Sequence, residues 1–588
     1  MSENQNGSHE QRMEKYFFRA SATDFEKIPG SPIAYWVGTG ILNAFERAKT
    51  LGELAEVKHG LSTGKNAEVV RLWSEVSLSD FGPNFAGRDE ALSSEKKWFP
   101  YNKGGDFRKW FGNCEYVLRY DEFGNRLMGS FSGHRHDGKS HYFLEGVTWT
   151  FISSSNFAAR YTPPGFVFDV SGSSLFIDKP KEITGYLCSN LSYTILKALN
   201  PTLNFQVGNL KSLPILEEEL RCREIDLRKV SHAAIEFSKV DWDSYETSWD
   251  FTSLPLLRSD DRQPTLKSSY QKLRARWREM TVEMQRLEEE NNRIFIDAYG
   301  LQDELTPEVP LSEITLTCNP HYRYGGDKSE DELEALLLAD TLRELVSYAV
   351  GCMLGRYSLD KPGLILANQG ETLADYLAQV PQPSFPADDD NVIPLLDGDW
   401  FADDITLRCR QFLRVAFGEA QYEDNLAFIE QALNVKGKRN YSLRDYFLGE
   451  FYADHVKRYK KRPIYWLFSS PKGSFNALIY MHRYRPDTVS VVLKYLRDYR
   501  EKLSTEKERQ ASVSINPATS QGDKTRALKE VDRLAKVLAE LEDYERDVLY
   551  PLATEQKPID LDDGVKVNYL KFGAALKKIT GLDAKEED

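Results

Sequence analysis

The sequence predicts a multidomain α+β protein, and three observations indicate this fold class. The chain has 588 residues, whereas a single hydrophobic core stops growing near ~250 to 300 residues. In the first third of the chain, short apolar runs such as Phe166–Val170 alternate with turn clusters. Apolar residues at helical spacing dominate later stretches. We therefore expect a loop-rich mixed α/β domain, helical spacers, a second mixed domain and a C-terminal helical hairpin.

Periodicity and composition place the boundaries between these domains. Apolar positions recur every three, four or seven residues from 268 to 298, and a second apolar stripe covers 332 to 355. An acidic, proline-rich stretch follows near 380 to 390. Two polar helices, roughly 489 to 511 and 524 to 548, flank a breaker, and the second carries a heptad seam. The predicted segments are 12–220 (α+β domain), 221–310 (helical spacer), 311–385 (helical domain and acidic linker), 386–500 (basic mixed domain) and 501–588 (helical hairpin and tail).

Composition excludes several classes of protein. Apolar residues make up 41% of the chain and charged residues 28%, as in soluble globular proteins. No apolar run reaches the ~18 residues that a membrane span needs, and the polar start lacks a secretory signal. The six cysteines lie far apart without a C-x-x-C pair, which predicts neither disulfides nor a metal site. We expect a cytoplasmic protein with no membrane partner.

One segment bears on methyl-transfer chemistry. DNA adenine methyltransferases hold a flipped base with an Asn/Asp-Pro-Pro-aromatic segment, and Asn319-Pro-His-Tyr322 is the nearest match. His321 replaces the second proline, and no glycine-rich strand-to-helix turn precedes the segment. Two interpretations stay open, a divergent base pocket and an ordinary turn. We assign no catalytic residue.

Basic residues are the more informative pattern, because the chain as a whole is acidic with a net charge of -14. Between 436 and 485, twelve Lys and Arg face three acids, and tyrosines and a tryptophan are interleaved. Such a cluster is typical of a surface that follows phosphates, although a solvated face balanced by the acids of 388 to 404 is the alternative.

Two further segments are candidates. The stretch 96–111 combines cations, aromatic rings and a glycine pair, and the loop Gly60–Asn66 resembles an incomplete phosphate loop. The candidate phosphate contacts are Lys65, Asn66, Lys103, Arg108, Lys109, Lys457, Arg458, Lys460, Lys461 and Arg462.

Several long stretches carry a resemblance to a known family. They are Ile28–Trp36, Lys97–Gly105, Thr148–Phe157, Asn200–Gly208, Tyr348–Asp360 and Lys461–Phe475. Together they resemble PglX, the adenine-specific DNA methyltransferases of BREX phage-defence systems, from about residue 12 onward.

The resemblance implies a division of labour. In that family the cofactor domain precedes the part seen here, and the later part recognises an asymmetric DNA site. We therefore expect 12–220 to be a target-recognition domain, with no cofactor in this chain and S-adenosylmethionine bound by a missing methyl-transfer domain. Because this sequence lacks the cofactor-binding and Asn-Pro-Pro-Tyr motifs of the family, we expect no enzymatic activity from the chain alone. The expected partners are double-stranded DNA, an N-terminal methyltransferase domain and other BREX proteins. Candidate base-reading residues are Ser153, Ser154, Ser155, Asn204 and Gln206.

Two alternatives accompany this interpretation. In the first alternative, the chain is a protein-interaction subunit that docks defence-system components through its helical hairpin. In the second, it is a self-sufficient methyltransferase that uses Asn319 to Tyr322. Steep weakening of DNA binding by salt distinguishes the first alternative, because phosphate contacts release counterions.

Overall fold

The computed structural model describes residues 21–152 and 156–583, which fold into two compact units. The first unit contains residues up to Lys65, Gly82–Trp242 and Trp277–Gly325, and the second contains the remaining stretches. Each unit is therefore assembled from separated parts of the sequence. Both combine helices with small sheets, which confirms the predicted multidomain α+β class.

Small sheets form the centre of the first unit. An antiparallel sheet has the strand order Glu56–Lys58, Ser174–Phe176, Gly146–Trp149 and Ala159–Thr162. Elsewhere Trp98–Asn102 pairs antiparallel with Tyr116–Arg119 and parallel with Val167–Phe168, and Lys49–Thr50 pairs with Pro214–Ile215. Most of these strands are short and buried, so packing rather than strand length stabilises them.

Helices surround these sheets and supply much of the core. Aliphatic and aromatic side chains such as Trp149, Leu191 and Phe295 form one buried cluster. Its burial accounts for the apolar positions of the flanking helices. The helices of this unit are Ala22–Phe25, Thr39–Arg47, Leu51–Leu54, Arg88–Ser93, Glu122–Gly129, Pro180–Leu187, Asn190–Leu199, Val207–Lys211, Glu217–Arg221, Glu224–Trp242 and Pro320–Tyr324.

The second unit contains a three-stranded antiparallel sheet surrounded by helices. Asn476–Tyr480 is the central strand, between Ile393–Pro394 and Tyr465–Ser469. A further short strand is Val70–Leu72. The α-helices are Asn66–Val69, Glu330–Met353, Leu373–Gln379, Ile405–Phe417, Tyr422–Leu433, Leu443–Tyr446, Tyr452–Arg458, Thr488–Ile515, Gln521–Tyr544, Tyr550–Glu555 and Gly564–Leu570, and the π-helical turns are Phe447–Phe451 and Glu545–Leu549.

The long helices predicted from periodicity are present. The stripe from 268 to 298 lies in the helix Leu266–Tyr299, and the stripe from 332 to 355 lies in Glu330–Met353. The latter begins with a capping box, in which the Ser329 hydroxyl accepts from the Glu332 amide and the Glu332 carboxylate accepts from the Ser329 amide. Apolar spacing and the cap thus define this helix together.

The predicted C-terminal hairpin is also present. Thr488–Ile515 and Gln521–Tyr544 pack antiparallel, since Arg497 near the start of the first helix lies 2.7 Å from Glu545, just past the end of the second. Leu534 and Leu541 of the heptad seam are buried. The seam therefore packs within the second unit. Within the described residues, no helix combines the length and apolar character that a membrane span requires.

Candidate nucleic-acid interface

Two of the predicted phosphate contacts of the first unit point into its interior. Arg108 Nη2 lies 2.7 Å from Asp241 Oδ2, and Lys109 forms an ion pair with Glu288. Trp110 Nε1 also donates to Glu288, at 2.9 Å. All five side chains are buried, so Arg108 and Lys109 are already paired with carboxylates inside the protein. Removing one partner of such a pair would be strongly destabilising, because it would leave the other charge buried and unpaired.

Asp241 joins this ion pair to the backbone of a neighbouring segment. Its carboxylate accepts hydrogen bonds from the amides of Thr317 at 2.7 Å and Cys318 at 3.0 Å. Burial raises the pKa of Glu288 in the companion pair, and the Lys109 ammonium opposes this effect. The basic stretch 96–111 is thus largely a structural element of the first unit.

The other predicted contacts of the first unit are closer to solvent. Lys65 is exposed, with Nζ 5.0 Å from the centre of the Phe131 ring. Lys103 and Asn204 are half-buried, and Gln206 is exposed just before the helix Val207–Lys211. Ser153, Ser154 and Ser155 lie outside the described residues. Asn66, which belongs to the second unit, is half-buried.

In the second unit, the arginines of the predicted basic run are also paired. Arg458 Nη1 lies 2.5 Å from Glu246 Oε1, and Arg462 Nη1 lies 3.1 Å from Glu75 Oε2. Both carboxylates are buried. The two arginines therefore anchor the run to the interior of the unit. Sequence charge alone did not distinguish them from their lysine neighbours.

The lysines of the same run lie at the surface, unlike the two arginines. Lys457, Lys460 and Lys461 are exposed and line a pocket of about 930 Å³. Lys472 of the same basic cluster lines it as well, and so do Lys577 and Lys578, which are distant in sequence. We call this site the lysine pocket. Among its described lining residues, Asp397 is the one carboxylate. The site is therefore strongly cationic, and ammonium groups at such density favour phosphate as the ligand.

The backbone after the helix Tyr452–Arg458 positions two of these lysines. Lys460 and Lys461 have φ angles of 50° and 65°, in the left-handed region where glycine is usual. Their amides close the helix end, because Lys460 N donates to the Lys457 carbonyl at 3.1 Å and Lys461 N to the Val456 carbonyl at 2.8 Å. This abrupt turn brings both side chains to the pocket instead of continuing the helix.

Lys472 lies in the turn between the strands Tyr465–Ser469 and Asn476–Tyr480, and Glu540 stabilises this turn. The Glu540 carboxylate accepts from the Ser470 hydroxyl at 2.7 Å, the Lys472 amide at 2.8 Å and the Ser474 hydroxyl at 2.6 Å. Burial opposes the charged form of Glu540, yet these bonds lower its pKa overall. Glu540 thus positions Lys472 from about 70 residues away. No sequence signal pairs the two segments.

The Asn-Pro-His-Tyr segment begins with a buried helix cap. The Asn319 side chain is fully buried at the start of the helix Pro320–Tyr324, and its Oδ1 accepts from the His321 amide at 3.2 Å. Its Nδ2 donates to the carbonyls of Leu311 and Ile314, at 2.7 and 2.8 Å. Both amide hydrogens bond to the local backbone and the side chain is fully buried, so this conformation does not present Asn319 to a flipped adenine.

Sequence comparisons identify relatives of the whole chain. It is 39% identical over 581 residues to "Adenine-specific methyltransferase BrxX" of Escherichia coli O9:H4 (strain HS), which covers 95% of this chain and 46% of that protein. It is 35% identical over 587 residues to "Adenine-specific methyltransferase PglX" of Lacticaseibacillus casei (strain Zhang), which covers 96% of this chain and 46% of that protein. The chain spans about half the length of these curated relatives. No protein-family model matches it.

Proposed function

The chain is homologous over nearly its whole length to the adenine-specific methyltransferases BrxX and PglX, and on this premise we propose that it recognises double-stranded DNA. In this proposal it is the target-recognition portion of an adenine-specific (N6) methyltransferase that acts in BREX phage defence. Phosphate contacts supply affinity, and polar side chains that reach base edges supply specificity. The partners are the DNA duplex, a methyltransferase domain and other BREX proteins.

The observation that carries the proposal is the lysine pocket. A chain with a net charge of -14 needs a local concentration of cations to hold DNA. Arg108, Lys109, Arg458 and Arg462 are paired with carboxylates. Lys457, Lys460, Lys461 and Lys472 lie exposed on one surface of the second unit. In the first unit, Lys65 and the polar residues Asn204 and Gln206 offer further contacts from exposed or half-buried positions.

Methyl transfer has a different location in this proposal. The one segment that resembles a base pocket uses the Asn319 amide to cap a helix. We therefore assign methyl transfer from S-adenosylmethionine to a domain outside these 588 residues. The chain described here holds the duplex so that such a domain can reach the amino group of an extruded adenine.

The test is titration of the purified chain against a fluorescently labelled duplex at two salt concentrations. The variant replaces Lys457, Lys460, Lys461 and Lys472 with Gln, and the matched control replaces four exposed residues outside the pocket, Lys436, Arg439, Lys494 and Lys529, with Gln. The wild-type affinity should fall steeply with salt, by roughly 0.9 logarithmic units per tenfold salt increase for each phosphate contacted. The quadruple variant should bind more weakly and with a shallower salt dependence than the control. Binding that neither salt nor the four lysines affect contradicts the proposal.

A further inference from the structure

The lysine pocket has an apolar wall that a grip on the DNA backbone does not need. Phe447, Leu448, Val456, Leu467 and Ile579 line it beside the lysines. Leu448 keeps 40% of its surface exposed, whereas phosphates are contacted by cationic and polar side chains and by backbone amides. The site therefore combines an anion-binding rim with a hydrophobic surface. Ligands with a phosphate and a flat, largely apolar part have the matching chemistry.

The wall is built on a rare backbone form. Phe447–Phe451 is a π-helical turn between the α-helical turns Leu443–Tyr446 and Tyr452–Arg458. Well under ~1% of residues adopt this form, and single π-turns occur frequently at functional sites. Gly449 lines the pocket within this turn, and a Cβ added to it would meet no atom within 4 Å. The turn thus leaves open space beside the wall.

The rim contains a second unusual feature. Lys460 and Lys461 are consecutive non-glycine residues in the left-handed region, and each such residue carries a conformational cost. Glycine at these positions would end the helix with less strain. Strain of this kind persists only where the surrounding structure enforces it, and it clusters at active sites, ligand clamps and switch regions. The conformation brings two ammonium groups to the pocket at the expense of stability.

We propose that the lysine pocket binds a nucleoside phosphate, with the phosphate groups at the lysines and the base against the apolar wall. Its volume of about 930 Å³ lies within the range of small-ligand sites, ~300 to 1,000 Å³. A base inside a duplex is stacked and paired, so its faces cannot reach this wall. The ligand is therefore an unpaired nucleotide, either free in solution or part of a DNA strand. This inference goes beyond the proposed function, because holding a duplex requires only the cationic rim.

The test is calorimetric titration of the full chain with ATP, and separately with adenosine and with inorganic phosphate. ATP should bind in a saturable manner and more tightly than either fragment, because only ATP contacts both rim and wall. A short single-stranded oligonucleotide then distinguishes the two sources. Displacement of ATP by the oligonucleotide assigns the pocket to DNA strands, and its failure to displace ATP assigns the pocket to free nucleotides.

One variant separates this inference from duplex binding, and a second tests the cationic rim, which the proposed function shares. Gly449→Leu adds an uncharged side chain at the wall and removes no ammonium group, so it should abolish ATP binding while weakening duplex binding far less than replacement of the four lysines does. Lys461→Gly removes an ammonium group and relieves strain, so it should weaken ATP binding about tenfold without lowering the unfolding temperature. The control Lys436→Gln, which is exposed and outside the pocket, should bind ATP like the wild type.

The contradictory results are equally definite. Duplex binding without saturable ATP binding overturns the nucleotide pocket and leaves the proposed function standing. ATP binding that persists in both Gly449→Leu and Lys461→Gly places the nucleotide elsewhere and also overturns the inference. ATP binding lost in Gly449→Leu, without any salt-dependent affinity for duplex DNA in the wild type, supports the pocket and removes the proposed function.

Discussion

Arg458 Nη1 lies 2.5 Å from Glu246 Oε1, and both side chains are largely buried. Glu246 also accepts a hydrogen bond from the Ser347 hydroxyl at 2.6 Å. This contact fixes the end of the helix Tyr452–Arg458 to the interior of the second unit. The exposed lysines on either side of Arg458 therefore extend from a rigid base. In our proposal, neighbouring cations in one sequence run have separate roles: Arg458 stabilises the unit, and the lysines bind the ligand.

The variant Arg458→Gln tests the structural task. It leaves the Glu246 carboxylate buried without its cation, which costs about 3 to 5 kcal/mol of unfolding free energy for pairs of this kind. Lys457→Gln, one position earlier and exposed, should change stability by less than about 0.5 kcal/mol. Chemical denaturation of both variants measures the difference. Equal stability of the two would show that the ion pair has no structural role.

Glu540→Gln tests the positioning of Lys472. The carboxylate accepts three hydrogen bonds from the turn that carries Lys472, and an amide oxygen and nitrogen cannot replace all of them. We expect a loss of about 1 to 3 kcal/mol and a decrease in DNA affinity similar to that of Lys472→Gln. The matched control is exposed Glu501→Gln on the same hairpin. Wild-type DNA affinity in Glu540→Gln, with the stability loss present, would show that the turn does not position Lys472 for binding.

Buried histidines predict acid sensitivity of the second unit. Burial lowers the pKa of His482 to about 3, and burial likewise lowers the pKa of His455 far below its usual value. In the unfolded chain each of these histidines binds a proton near pH 6.5, whereas in the folded chain it stays neutral to much lower pH. The unfolding free energy therefore falls as pH decreases from about 6.5 towards 3.

The variant His482→Gln measures the contribution of this one histidine to the pH dependence of the unfolding free energy. Glutamine keeps a donor for the Val76 carbonyl, which His482 Nε2 approaches at 3.1 Å, but it does not titrate. The variant should reduce the pH dependence of stability by up to about 1.4 kcal/mol per pH unit between pH 6 and 4. Denaturant titrations across this window measure the slope. A slope equal to that of the wild type would assign the acid sensitivity to other groups.

Asn319→Ala tests the helix cap. The substitution removes three hydrogen bonds at a buried site, and two backbone carbonyls lose a donor, so stability should fall by about 1 to 3 kcal/mol. DNA affinity measured below the unfolding transition should match the wild type. A variant with unchanged stability and lost DNA or cofactor binding would instead favour a base pocket at this segment.

The sequence predicts the long elements of the fold more readily than the site. Helices such as Glu330–Met353 carry both apolar periodicity and a capping box, and local signals of this kind are sufficient to locate them. The short strands, many of two to four residues, depend on long-range pairing such as Lys49 with Ile215. No local pattern specifies such partners.

The charges of the candidate site were also only partly predictable from the sequence. The predicted run 457–462 includes three pocket lysines but also Arg458 and Arg462, whose carboxylate partners Glu246 and Glu75 are hundreds of residues away in sequence. Lys577 and Lys578 join the pocket from near the C-terminal end. Charge density in a sequence window indicates a basic region, but only tertiary contacts decide which cations remain available to a ligand.

The central claim is that this chain itself reads DNA sequence, and selection from a pool of randomised duplexes tests it most directly. The purified chain is incubated with the pool near physiological salt, and bound duplexes are recovered, amplified and sequenced over several rounds. We predict enrichment of one asymmetric motif, and weaker enrichment when Lys457, Lys460, Lys461 and Lys472 are replaced with Gln. Recovery of duplexes without any shared motif would contradict sequence recognition by this chain.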